Sequence, residues 1–214
     1  MTAASQRRPT LPRRLLVAFG VGLAMGVAGY LFGRMVLPGL IGPDRLDLRW
    51  SDALAALTGV ALMMGAGAVL IASLDPHRLG RMYRLDEAAS AEEVGQVRLQ
   101  ASVLGFSGVI LLLPLIFVLV GLPGGVALGL IVVLFVVHTA LNLKVWRSVD
   151  ELMRRTTMEA AFATFFLGQG LLFLWAAAER LGLVFTLTAW DVYAVLMTLY
   201  LFVSAIASAR RGLA

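Results

Sequence analysis

The chain has no cysteine. Disulfides, thiolate metal sites, cysteine-attached haem and cysteine nucleophiles are therefore excluded, and the redox compartment cannot be read from thiol usage. Charge is also scarce: Asp, Glu, Lys and Arg make up 14% of 214 residues, where a soluble domain carries about a quarter. Histidine occurs twice, at His77 and His138, and lysine once, at Lys144. Such scarcity leaves few groups for acid–base or metal chemistry, so no catalytic residue, no metal site and no cofactor is assigned. The pattern does not point to nucleic acid either, although the net charge is +5.

What the chain has in excess is apolar surface. Hydrophobic residues account for 60% of it and the mean hydropathy is +0.88. A core built from a chain this short cannot hide that much, so the surplus must face lipid. Six stretches come near the roughly 20 apolar residues that a bilayer crossing needs: 15–37, 53–74, 103–120, 126–145, 160–178 and 192–209. They lack the alternation of barrel strands, and lipid tolerates no unpaired backbone, so all are expected to be helices. The fold class is therefore an all-α, polytopic transmembrane bundle of six helices. The stretch 15–37 follows a basic start, as a secretory signal does, but it is too long for a signal core and reads as a retained first span. Gly121-Leu122-Pro123-Gly124-Gly125 splits the third and fourth spans into a hairpin.

Orientation follows from the basic residues. The tail 1–14, the connections 75–102 and 146–159 with the adjoining span ends, and the C-terminus together carry 14 of the 18 Lys and Arg. The opposite side has only Arg34, Arg45, Arg49 and Arg180. This alternation places both termini in the cytoplasm. The organisation is then a basic tail (1–14), two spans (15–74), a cytoplasmic connection (75–102), a hairpin (103–145), a charged connection (146–159) and two last spans with a basic C-terminus (160–214). Trp50, Trp146, Trp175 and Trp190 lie at or near span ends, where indole rings favour the interface. The arginine bias, with abundant Ala and Gly, fits a GC-rich bacterial genome and an inner membrane.

Ser90-Ala91-Glu92-Glu93 and Ser148-Val149-Asp150-Glu151 both read as capping boxes ahead of a span. They suggest helices that begin in the cytoplasm, and a weak internal repeat relating spans two and three to four and five. In the first span, Gly22, Gly26, Gly29 and Gly33 form small-residue motifs. Ala61 with Gly65 and Gly125 with Gly129 offer shorter grooves for close packing, within one protomer or in a homo-oligomer. Pro114 is expected to kink the third span.

Polar groups at membrane depth are few. No Asp or Glu falls in the middle of a span, which is where pumps and proton-coupled carriers place them. His138, close to Asn142, could ligate haem, relay protons or touch a quinone; a hydrogen bond to a neighbouring helix is the simpler expectation. Gln169 could line a pore, and a bond across to another helix is again the simpler expectation. Arg147, Asp150, Glu151, Arg154, Arg155 and Glu159 form the most distinctive cytoplasmic segment. Asp150 with Arg154, Glu151 with Arg155, and Arg155 with Glu159 are spaced for i,i+4 pairs. The segment reads either as a solvated, pair-stabilised helix start or as a contact surface for a protein partner or anionic lipid headgroups.

The segment from Arg147 to Glu159-Ala160 resembles that of a group of small uncharacterised bacterial inner-membrane proteins. Their shared pattern is Arg-x-x-Asp-Glu-Leu-x-Arg-Arg-x-x-x-Glu-Ala between two spans, with a last span that ends in basic residues, here Arg210-Arg211. The resemblance runs from the preceding hairpin to the C-terminus. The commoner form looks four-spanned, which makes the first two spans here an addition. Met153 and Thr156 stand where Gln and Ile are usual. The resemblance implies a topology and brings no activity with it. The functional expectation is a non-enzymatic accessory, regulatory or structural membrane component, with a small transporter or channel as the alternative and a membrane enzyme or cofactor carrier as a third.

Overall fold

The computed structural model describes residues 49–82 and 87–211. The expected first span, the basic tail and the Gly22–Gly33 motifs lie outside the described residues.

The described chain is helical throughout its regular structure. Its elements are α1 (Trp50–Ala72), a short α2 (Pro76–Met82), α3 (Ala91–Leu119), α4 (Gly124–Ser148), α5 (Glu151–Arg180) and α6 (Ala189–Arg210). All but α2 are long and apolar enough to cross a bilayer. Five of the six expected spans are thus present as helices, and the chain is a multi-pass membrane protein. Both α3 and α5 begin well before their apolar runs, because their first turns are capped by polar residues rather than by lipid burial.

The caps explain the boundaries. Ser90 Oγ accepts from the backbone N–H of Glu93 at 3.3 Å, and Glu93 Oε2 accepts from Ser90 N–H at 2.7 Å, which is the expected capping box. The second expected box is corrected. Ser148 closes α4, donating its hydroxyl to Val145 O, while Asp150 caps α5 by accepting from Met153 N–H at 2.7 Å. Only Val149 and Asp150 separate the two helices, so the carboxylate nearest the new N-terminus takes the cap. At the other end of the bundle, α3 and α5 both stop at a glycine with positive φ, Gly121 at 71° and Gly182 at 73°. Leu122 N–H then reaches back to Phe117 O and Leu183 N–H to Ala178 O, closing both helices as Schellman motifs. The helix α3 continues through Pro114.

Packing follows the order α4, α3, α1, α6, α5, with α1 central. The tightest crossing is between α1 and α3, at Gly59 and Gly108. A Cβ on Gly108 would sit 2.6 Å from Gly59 O and 2.8 Å from Met63 Cγ. Ala66 faces Gly105 at the next level, and Leu62, Ala66 and Ala101 are buried along the same seam. Among the described residues of one chain the shorter glycine grooves have no close neighbour: nothing lies within 4 Å of a Cβ built on Gly125 or Gly129, and Gly65 makes only an ordinary contact with Leu104. A second small-residue stripe, Thr156, Ala160, Thr164 and Gly168, is the buried face of α5. It lies on the side that packs α6, where Leu196 covers Gly168. Helix α4 buries no residue; among the described helices it packs mainly on α3. The proposed repeat gains no support from this arrangement, since α1 and α3 pack face to face while α4 and α5 do not.

Candidate functional site

Three polar groupings stand out, and sequence reasoning anticipated parts of two. The first lies at the arginine-rich end, where the α4–α5 elbow faces α2 and the start of α3. A cleft of about 340 Å³ opens there. Glu93, Gln96 and Gln100 of α3 form one polar wall; their spacing places them on one helical face. Ser148 and Asp150 of the elbow form the other, with Leu79, Val97 and Met153 supplying apolar surface. Beneath it, Ala72, Leu79, Ala89 and Val94 pack into a small core that fixes α2 against α3. Arg98 does not enter the cleft's lining. It donates to Ser73 Oγ at 3.0 Å and Ser73 O at 2.9 Å, closing the C-terminus of α1, as a cation near a helix end does.

The charged segment divides into committed and free groups. Glu151 pairs with Arg155 at 3.0 Å, the expected i,i+4 pair, and lies 3.7 Å from Arg154. Asp150 is used as a cap instead of pairing with Arg154. Arg154 lies over the Trp146 ring at 5.4 Å and donates to Trp146 O at 3.4 Å, a cation–π arrangement across the elbow. Glu159 pairs with Arg211 of the C-terminus, not with Arg155. Arg211 also donates to Leu152 O, so the end of α6 is tied to the start of α5. Arg147, Glu151 and Arg155 remain exposed.

The second grouping is on α3 and α4. His138 Nε2 lies 2.7 Å from Ser107 Oγ, and Ser107 Oγ donates to Val103 O at 3.0 Å. Asn142 Nδ2 donates to His138 O at 3.0 Å and approaches the ring nitrogens. Phe106 packs edge-on against the imidazole at 5.7 Å. The histidine thus joins two adjacent helices through a hydroxyl. His77, on α2, is not part of this set. Gln169 lies exposed on α5, beside the buried Gly168, and among the described residues no side chain bonds it.

The third grouping escaped the sequence reading. At the arginine-poor end, the parallel helices α1 and α6 begin side by side, and each places an Asp in its first turn. Asp52 Oδ2 accepts from Arg49 N–H at 2.9 Å, and Asp191 Oδ2 accepts from Thr188 N–H and from its hydroxyl, each at 2.7 Å. Each carboxylate also takes a partner from the other helix's start: Trp190 Nε1 donates to Asp52 Oδ1 at 2.8 Å, and the Arg49 guanidinium lies 3.6 Å from Asp191. Asp191 and Ser51 are fully buried. Two turns deeper the same seam holds a Thr58–Thr198 hydrogen bond of 2.7 Å. Between these levels Ala55 and Ala194 are fully buried against Leu111. The only hint in the sequence was an Asp early in each helix, and nothing in the linear order pairs residues so far apart.

Among the described residues no group of His, Asp and Glu could hold a metal ion. No protein-family model, curated protein or solved structure matches the chain.

Proposed function

We propose that the chain is a six-span protein of a bacterial inner membrane, with its arginine-rich end in the cytoplasm. Its role is that of a non-enzymatic accessory or regulatory component, and that end contacts a protein partner and anionic lipid headgroups. One observation carries the reading. The elbow leaves Arg147, Glu151 and Arg155 exposed near an open cleft, while Arg49, Asp52 and Asp191 of the opposite end are bonded to partners on each other's helix starts. Arg147 is free of internal pairs and the Glu151–Arg155 pair is solvent-exposed, so this charge can be given to a partner at little cost. The resemblance of the Arg147–Ala160 segment agrees with this placement.

The test is in vivo crosslinking of the full chain followed by pull-down. Arg147→Glu combined with Arg155→Glu is expected to remove the crosslinked partners while membrane insertion stays normal. An unchanged crosslinking profile contradicts the proposal. Arg154 is left alone in this test because it is packed on Trp146.

The Ser107–His138–Asn142 set favours a second reading, a small transporter or channel. That reading requires a hydrated route, whereas the α1–α6 seam is closed by Ala55, Ala194 and Leu111. It would gain support if His138→Leu abolished a solute flux in proteoliposomes.

A further inference from the structure

Helix α5 stands at one end of the helix row and packs mainly on α6 among the described helices. Two rows of exposed side chains run along it, on either side of the buried stripe Thr156, Ala160, Thr164 and Gly168. One row is Leu167, Leu171 and Leu174. The other is Phe162, Phe166, Gln169 and Phe173. Both keep the alternating spacing of three and four residues that sets side chains on one face. Their chemistry differs. Leucine asks nothing of lipid, whereas the second row carries a carboxamide. Gln169 is the central residue of the apolar run 160–178, is exposed, and makes no hydrogen bond among the described residues. An unpaired amide in hydrocarbon is costly, and side chains of this type join membrane helices by bonding across to one another.

Complementarity names the partner. A carboxamide carries donors and an acceptor on one flat group, so its natural complement is a second carboxamide, which returns both. Within the six apolar stretches the only other Asn or Gln is Asn142, and it is bonded to His138. The remaining complement for Gln169 is Gln169 of another copy. Two copies inserted the same way, related by a two-fold axis, set each residue near the axis opposite its own equivalent. The two amides then meet at one level and fix the register, as a lone polar residue does in a coiled-coil seam. The flanking surface suits such a pairing. The Phe162 and Phe166 rings already pack together, 4.4 Å between centroids. Gly170, beside the amide, has nothing within 4 Å of where a Cβ would be, which leaves room for a second helix.

We propose that α5 is a self-association surface: it pairs with α5 of a second copy along Phe162, Phe166, Gln169 and Phe173. The Gln169 amides bond each other at its centre, and the phenylalanines cover them from lipid. The leucine row stays in lipid. The pairing needs both copies inserted the same way. It does not depend on which end is cytoplasmic or on what docks at the exposed arginines, so either reading can fail alone.

The experiment uses the full chain in native membranes, where the lack of cysteine makes each added thiol the only one. Phe166→Cys and Phe173→Cys, in separate chains, are oxidised with copper phenanthroline and read as dimer on a non-reducing gel. Both are expected to cross-link several times more than Leu167→Cys or Leu171→Cys, because a disulfide needs Cα atoms within about 7 Å. Adding Gln169→Leu to Phe173→Cys is expected to lower the dimer about five-fold, and Gln169→Asn, which keeps an amide, to lower it less. Helicity and thermal midpoint of the two Gln169 variants are expected to stay at the wild-type values, which separates lost pairing from lost folding. Equal cross-linking of the two rows, or none along the phenylalanine row, overturns the proposal. So does a dimer that Gln169→Leu leaves undiminished. A disulfide that joins Phe173→Cys to Tyr30→Cys within one chain, in place of the dimer, assigns the face to the first apolar stretch and also overturns it.

Discussion

The two ends of the bundle treat charge in opposite ways. At the arginine-poor end, Arg49, Asp52, Thr188, Trp190 and Asp191 bond one another across the starts of α1 and α6, and Glu179 accepts from Leu187 N–H to hold the loop before α6. At the arginine-rich end, α2, the α4–α5 elbow and the C-terminus meet through a few exposed ion pairs and leave a cleft open. The first arrangement is a clasp: it fixes two helices that have no covalent neighbour relation. The second is a surface. At the first end the buried Asp191 carboxylate takes hydrogen bonds from Thr188 beside a half-exposed Arg49, and buried hydrogen bonds are costly to lose, while exposed pairs contribute little. The same residue types therefore carry different weight at the two ends.

Substitutions can break or sharpen that contrast. The largest effect is expected from Gly108→Leu, which belongs to neither end. It forces α1 and α3 apart at the crossing, and loss of folded protein in detergent is the expected readout; a wild-type thermal midpoint would mean that the crossing is not needed. Next comes Asp191→Ala at the clasp. It strands Thr188 and removes the partner of the half-exposed Arg49, and is expected to cost about 2 kcal/mol, measured by thermal or denaturant unfolding in detergent. Asp191→Asn, which keeps the cap and removes the charge, should cost less. At the other end, Glu159→Gln removes the partner of Arg211 and is expected to cost under about 1 kcal/mol. Arg155→Ala, losing one exposed i,i+4 pair, should cost no more than about 0.5 kcal/mol. If Glu159→Gln proved as damaging as Asp191→Ala, the contrast between clasp and surface would disappear.

The readable parts of the fold were those set by local rules. Apolar runs located five of the described helices, and Gly121-Leu122-Pro123 marked the hairpin, because lipid burial and turn chemistry act over short stretches of chain. Ser90 with Glu93 was legible for the same reason. Ser148 was mistaken for a cap because two acceptors compete within three residues, and only the position of the elbow decides that Asp150 is the nearer. The Gly59–Gly108 crossing does carry small residues at four-residue spacing, Ala55 with Gly59 and Ala101 with Gly105, but such spacings recur along the chain and only the meeting of two helices decides which of them is used. The clasp was invisible because Arg49 and Thr188 are 139 residues apart. Among the site residues, Glu151 and Arg155 paired as their spacing implied. Glu159 found Arg211, 52 residues away, because the end of α6 returns to the start of α5. Gln169 turned outward because the buried face of α5 is the stripe through Gly168, one position away.

The absence of cysteine makes the orientation directly measurable. Leu183→Cys places one thiol in the exposed loop beyond α5, and Arg147→Cys places one on the elbow. A membrane-impermeant maleimide applied to intact cells is expected to label the thiol at 183 and to reach the one at 147 only after the membrane is opened. Labelling of position 147 in intact cells, with position 183 protected, would place the arginine-rich end outside and contradict the account.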